Sequence, residues 1–332
     1  MTTPDRLWQP LEPPPPDGDD DDLEHIGTIG PDPVDLAGQQ QGRALDWLHQ
    51  MQSGAGHRWM WQSLHRLTGK LLPTWTVFVG GYPKTAKTTL LQTQARAWAE
   101  TGTAVCYVGT ETKTEILRLQ SAAITKGVPV ERVITGDMEP RERDLILADL
   151  NRQTWEIGQQ LLYAETKRST LDEVLYWLAW GADHGAEVVI FDHLHRLDMG
   201  GPDRYGALSD AVRALNEAAK ARGILLLCAA QFRERKDDAL ANHEVPGDGQ
   251  WFGTAAIQQE GVVNLQLWRP LRAGVSQEDK LAVRRGDAPL SSVLKPQTVG
   301  VRVSAHRLRP SAYGEIAHLR ICDDCVEDFP TL

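Results

Sequence analysis

Residues 76–91 read TVFVGGYPKTAKTTLL, and few stretches restrict a fold as narrowly. Residues 76–80 are apolar and β-branched, the pattern of a short buried strand. A tight Gly81-Tyr82-Pro83-Lys84-Thr85-Ala86 loop follows, and Lys87-Thr88-Thr89 opens a helical pattern reaching about residue 100. Strand, loop and helix in this order aim backbone N–H groups and the positive helix end at one point, which suits a triphosphate. In that arrangement Lys87 reaches the β- and γ-phosphate oxygens and the Thr88 hydroxyl sits on Mg²⁺, so the stretch asks for ATP and magnesium. The last glycine of the usual pattern is here Ala86. A helical or extended backbone would accept its methyl group, whereas a left-handed one would resist it. A glycine-containing turn with no ligand would look the same locally, so the reading depends on partner motifs elsewhere.

Those partners are a carboxylate for the metal and a base for water. Residues 188–192, VVIFD, form an apolar strand pattern ending in Asp192, placed to hold the magnesium shell beside Thr88. Residues 105–111, VCYVGTE, end a second strand pattern at Glu111, placed to orient and deprotonate an attacking water. A third apolar run, 224–230, ends at Gln231, an amide near the γ-phosphate. Each is ordinary alone: strands often end in Asp, and Glu111 equally suits the first turn of a helix through the macrodipole.

The wider pattern alternates. Strand-like runs fall at 76–80, 104–109, 160–164, 188–192 and 224–229, with helical patterns at about 87–100, 114–126, 141–158, 171–183 and 207–221. Continuously apolar strands between helices mean a mostly parallel, twisted sheet with helices on both faces. Runs at 262–267, 299–304 and 315–320 come without helical patterns between them, and they predict an antiparallel C-terminal extension.

Composition matters chiefly at the ends. Residues 1–35 hold ten acids and one base, with Pro13–Pro16 ahead of Asp19–Asp22, and read as a disordered acidic tail. It serves as a solubilising tail or as a contact for a replication partner. The remaining residues balance at 35 acids to 34 bases, so the net charge of −10 neither favours nor excludes DNA. Residues 36–54 read as a linker helix whose apolar residues need a surface, its own body or a neighbouring subunit. The main domain then spans 55–321, leaving 322–332 as a C-terminal tail. Cys106 and Cys228 sit inside apolar strands, and His318, Cys322 and Cys325 lack a fourth metal ligand. No leader pattern opens the chain and no run approaches 18 apolar residues, so a cytoplasmic protein with no membrane contact is expected.

Taken in order, these motifs resemble the C-terminal, RecA-like ATPase domain of DnaB-type replicative helicases over roughly residues 57–320. LHRLTGKLLP at 64–73 resembles the family's lead-in, with His65 where an Asp is usual. Glu111 falls where the family has its catalytic Glu, and 188–197 resembles its strand-Asp-Tyr-Leu segment with His193 replacing Tyr. AAQFR at 229–233 and GTAAIQQ at 253–259 resemble two further motifs, and Gln231 falls where related ATPases sense nucleotide. Ala305-His306-Arg307 aligns with a Lys-x-Arg finger whose first Lys is lost. The resemblance implies a RecA-like P-loop ATPase and ATP hydrolase, a hexameric ring, translocation on single-stranded DNA, and Arg307 acting on a neighbour's nucleotide. It also implies that the loop after Gln231 faces a central channel, so Arg233, Arg235 and Lys236, beside Trp251 and Phe252, become candidate DNA contacts. Asp237, Asp238, Glu244 and Asp248 offset those cations, and a solvated loop is the alternative. Arg204, in 198–206, is a second DNA candidate. The family's N-terminal collar domain has no expected counterpart, a minimal form of phage or plasmid type. Two other classes stay open: a recombinase- or initiator-type DNA-bound ATPase without unwinding, and a regulatory ATPase with no nucleic-acid role.

Overall fold

A computed structural model describes residues 33–52, 54–200, 203–233, 239–251, 255–322 and 325–328. The acidic tail lies outside the described residues as far as residue 32. The chain divides into two units, Met1–Ala55 and Gly56–Leu332. In the first, the expected linker helix is α1 (Pro33–Gln52). Among the described residues no helix is long and apolar enough to cross a membrane.

The second unit opens with α2 (Gln62–Thr68), β1 (Thr76–Gly81), α3 (Lys87–Glu100), β2 (Val105–Gly109) and α4 (Thr114–Lys126). It continues through α5 (Val130–Thr135), α6 (Pro140–Trp155), β3 (Leu161–Glu165), α7 (Leu171–Asp183) and β4 (Val188–Asp192). Next come α8 (Arg204–Ala221), β5 (Leu225–Gln231), α9 (Ala256–Glu260), β6 (Val263–Trp268) and α10 (Gln277–Arg285). It ends with β7 (Thr298–His306), β8 (Ile316–Cys322) and β9 (Cys325–Asp328). The sheet order is β3-β2-β4-β5-β1-β6-β7-β8-β9. Every residue of β1, β2, β4 and β6 is buried, as helices on both faces require, whereas the edge strand β3 is partly open. One face packs Phe78, Val189 and Phe191 against Leu178 of α7 and Leu208 and Leu215 of α8. Leu90, Leu91 and Leu117 bury α3 and α4.

Three elements differ from expectation. β6 was expected to begin the antiparallel extension, but it pairs parallel to β1, with Val77 opposite Val263. The chain leaves β5 and returns through residues 232–262, a connection long enough to start β6 at the same end of the sheet as β1. Among the described strands, β7, β8 and β9 form the antiparallel part. Helix α10 was not foreseen because none of its residues is buried and no apolar stripe marks it; its signals are the Ser276–Asp279 capping box and left-handed Gly286. The run expected as a single helix over 141–158 is preceded by the short α5, and α6 starts at Pro140 with a Glu139–Glu142 capping box.

The segment expected as a C-terminal tail is structured over β9. Trp61 Nε1 donates to Val326 O at 2.7 Å, and the Asp328 carboxylate accepts from the backbone N–H groups of Gln62 and Ser63 at the start of α2. A buried ion pair ties α3 to α6: Arg96 donates through both terminal nitrogens to Asp149 at 3.1 and 3.0 Å, and Gln153 adds a bond at 3.1 Å. Removing one partner of such a pair typically costs about 3–5 kcal/mol, so the helix behind the phosphate loop is firmly anchored.

Candidate active site

The strand order carries the carboxyl ends of β2, β4, β5 and β1 to one side. Gly81 lies opposite Gln231 across β1 and β5, and Gly109 opposite Asp192 across β2 and β4. A crevice at the carboxyl ends of parallel strands is where open α/β sheets bind ligands. Here it is a cleft of about 640 Å³ lined by residues 83–89 together with Glu111, Asp192, His193, His195, Arg196, Arg204 and Gln231.

The loop leaving β1 is built around backbone. A Cβ on Gly81 would lie 2.5 Å from Thr85 Oγ1 and 2.9 Å from Leu267 O, so only glycine fits. Thr85 Oγ1 donates to Tyr82 O at 2.8 Å and closes the turn. Lys84 (φ 61°) and Ala86 (φ 65°) both adopt the left-handed conformation. Ala86 is thus in the state that resists a side chain, not in one that accepts it. The same kink starts α3, whose first turn has no side-chain cap and no acid. Its N–H groups are those that an anion would satisfy. Lys87 Nζ donates to Gly81 O and Tyr82 O, both at 2.9 Å. Burial pushes its pKa down to about 8, against the pull of Asp192 and Glu111.

Two carboxylates face this loop. Tyr107 Oη donates to Asp192 Oδ2 at 2.7 Å, holding the carboxylate at the end of β4. Glu111 accepts from Arg196 Nε, and His193 Nε2 stands 3.2 Å from the same Oε1. Burial pushes the Glu111 carboxyl up, but hydrogen bonds and charge from Arg196 and His193 outweigh it and hold the carboxyl below its ordinary range. Gln231 donates its backbone N–H to His195 Nδ1 at 2.9 Å, which leaves any proton of a neutral His195 on Nε2.

The donors suit a nucleoside triphosphate with magnesium. The uncapped helix start, Lys87 and the backbone-lined turn match phosphate oxygens, and Thr88 and Asp192 would hold the metal. Among the described residues no group of three or more His, Cys, Asp or Glu could hold a metal alone. Magnesium tolerates that, since it commonly takes one or two protein oxygens and fills its shell with phosphate and water.

Other expected site residues lie elsewhere or are placed differently. Arg204, proposed for DNA, opens α8 and lines the cleft, its Nη2 donating to His195 O at 3.2 Å. Arg233 is exposed, its N–H bonded to Gln250 O at 3.1 Å; Arg235 and Lys236 lie outside the described residues. Trp251, expected to stack on bases, is buried beneath the phosphate loop, edge-on to Phe232 at 5.2 Å. Phe232 in turn meets Tyr82 at 5.3 Å, and a Cβ on Gly80 would come within 2.4 Å of both Phe232 and Trp251. That aromatic pair supports the loop and is not open to a strand; Phe252 lies outside the described residues. Arg307 follows β7, exposed, with its N–H bonded to Val262 O at 2.9 Å. His306 pairs with Val263, and Val263 with Val77, so Arg307 sits at the opposite end of the strands from the cleft. Motif reading passed over Tyr107 and Arg196; its one available signal was that Arg196 lies four residues after Asp192.

A family model described as an AAA domain (AAA_25) matches residues 45–237. No curated protein matches the chain by sequence. Among solved structures, an isolated ATPase domain aligns with a TM-score of 0.68 at 12% identity, over 87% of this chain and 98% of that one. A DnaB-like replicative helicase, solved in a study of its interactions with primase, aligns with a TM-score of 0.67 at 12% identity, over 86% of this chain and 66% of that one. The fold is that of the RecA-like ATPase domain of DnaB-type helicases.

Proposed function

This chain belongs to the AAA domain family AAA_25, and from that premise we propose that it is an ATP-hydrolysing, ring-forming motor on single-stranded DNA, a replicative helicase of DnaB-like kind. The observation that carries the reading is the cleft itself. Lys87 and Thr88 of α3, Asp192 of β4, Gln231 of β5 and Glu111 from the turn after β2 all line it.

The roles follow from position. Triphosphate oxygens meet the N–H groups at the start of α3 and the Lys87 ammonium, which gives up its two carbonyl partners. Thr88 and Asp192 would hold a magnesium ion, which when bound would supply positive charge beside the phosphates. Glu111 takes the proton of a water whose oxygen attacks Pγ, the bond to the β-phosphate oxygen breaks, and ADP leaves. Gln231, on the strand beside the phosphate loop, reports the γ-phosphate to the segment that follows it. Arg233, Arg235 and Lys236 in that segment contact the phosphates of a single strand. Arg307 completes a neighbouring copy's site, in a hexameric ring.

ATP hydrolysis with and without single-stranded DNA, and strand displacement on a forked duplex, test the reading. Hydrolysis stimulated by single strands, abolished by Lys87→Ala and coupled to displacement is expected. Stimulation without displacement would assign the chain to the recombinase or initiator type; no stimulation would leave a regulatory ATPase.

A further inference from the structure

One cation in the cleft is unclaimed by the motifs. Arg196 stands on the short turn Leu194–Arg196 that follows β4. Its Nε donates to Glu111 Oε1, and both side chains line the same cleft as residues 83–89. We propose that Arg196 is a second phosphate-binding cation supplied by the chain itself: it rests on Glu111 without nucleotide and moves to the γ-phosphate when ATP binds, releasing Glu111 to face water. The inference rests on the nucleotide reading above and adds to it a residue that tells ATP from ADP.

The turn is fixed while its last side chain is held only by an open ion pair. Leu194 is fully buried, Leu197 is nearly so, and both pack in the core beside β4. His195 is held through Nδ1 by the Gln231 N–H and through its carbonyl by Arg204. The Arg196 side chain, by contrast, is 62% exposed and that of Glu111 41%. An ion pair so open to water is weak and easily exchanged. The guanidinium fork matches phosphate oxygens at least as well as a carboxylate, and a terminal phosphate brings more charge and more acceptors. Lys87 meets the phosphates from within its own loop, and its nucleotide-free partners are that loop's carbonyls and not Glu111, so the exchange on Glu111 falls to Arg196. Arg204 is engaged on His195. Exchange also solves a difficulty of the nucleotide-free arrangement, in which the proposed base is occupied by two donors, Arg196 and His193.

The test uses the full chain and compares dissociation constants of a fluorescent ADP and a fluorescent non-hydrolysable ATP analogue, alongside kcat. Arg196→Ala is expected to leave ADP affinity within about twofold and to weaken the ATP analogue about tenfold. It should lower kcat at least about tenfold, and Arg196→Lys should recover part of both losses. Equal weakening of both nucleotides would make Arg196 structural and overturn the proposal. A raised kcat with unchanged binding would overturn it too, leaving a latch on Glu111. If wild type bound neither nucleotide, or Lys87→Ala bound both as wild type does, the nucleotide reading would fail first and carry Arg196 with it.

Discussion

Replacing Ala86 by glycine should stabilise the protein, the reverse of what glycine does inside a helix. Ala86 holds φ 65° and ψ 28° as the N-cap of α3. An L-residue with a Cβ pays about 1–2 kcal/mol for the left-handed region, and glycine does not. Glycine loses about 0.4–1 kcal/mol through its freer unfolded chain. The balance favours glycine by about 0–1.6 kcal/mol, and each 1 kcal/mol in a body of this size raises Tm by about 2–4 °C. Ala95 is the internal control: it is buried in the middle of the same helix. Ala95→Gly should lose about 1 kcal/mol or more from helix propensity alone. Thermal unfolding followed by circular dichroism reads both variants, and ATP hydrolysis should be unchanged or higher in Ala86→Gly. Two variants losing stability alike would refute the reasoning, because the methyl group of Ala86 would then contribute more packing than its backbone costs.

Glu111→Gln keeps the shape of the proposed base but cannot take a proton; turnover should fall by about 10²–10⁴-fold while nucleotide still binds. If affinity collapses as well, Glu111 is structural. Lys87 titrates at about 8 in the folded protein against 10.5 for a free lysine. Between those values the unfolded chain binds more protons, so nucleotide-free stability rises with pH through this group. Lys87→Met removes the buried charge and should flatten that rise, which amounts to about 3 kcal/mol; denaturation curves with the same pH slope in both proteins would contradict it. Arg307→Ala and Lys87→Ala proteins, each nearly inactive alone, should regain ATPase activity when mixed, because an intact Arg307 then faces an intact phosphate loop on the next copy. No recovery where subunit exchange is demonstrated would remove the finger.

The sheet and the phosphate loop were legible because their signals are local. Continuous apolar runs mark buried parallel strands, and the expected bounds of β4 and α3 agree with the structure. What escaped depended on contacts distant in sequence or on the absence of contacts. β6 pairs parallel to β1 after a connection long enough to return to the other end of the sheet, and no periodicity encodes which way a strand then runs. α10 buries nothing, so only its caps could announce it. Trp251 looked like a stacking surface beside cations, yet Gly80 opens a space in β1 that the ring fills from 171 residues away. Of the candidate site, the motif residues of the cleft were read directly. Ala86 was left as a conditional, since sequence cannot give φ. Arg196 was passed over because its partner, Glu111, is 85 residues distant and becomes adjacent only through the β2–β4 pairing.

The position of Arg307 bears on whether one copy can complete the reaction alone. β6 separates β7 from β1, so two strand spacings, roughly 10 Å, lie between Arg307 and the strand that feeds the phosphate loop. The register adds a second component. His306 aligns through Val263 with Val77, and the loop begins only after Gly81, so about five residues of strand, roughly 15 Å, separate them lengthwise. The two components combine to well beyond the length of an arginine side chain. Arg307 is also tied by its backbone to Val262 and cannot swing across the sheet. Among the described residues of one chain, the cations placed for a γ-phosphate in the proposed site are those lining the cleft, Arg196 among them. If Arg307 acts on nucleotide at all, the nucleotide belongs to another copy. A site with one cation from each source would fire only when ATP has drawn Arg196 off Glu111 and a neighbour has brought Arg307 in. Hydrolysis would then depend on assembly as well as on binding, which is the coupling a ring motor requires.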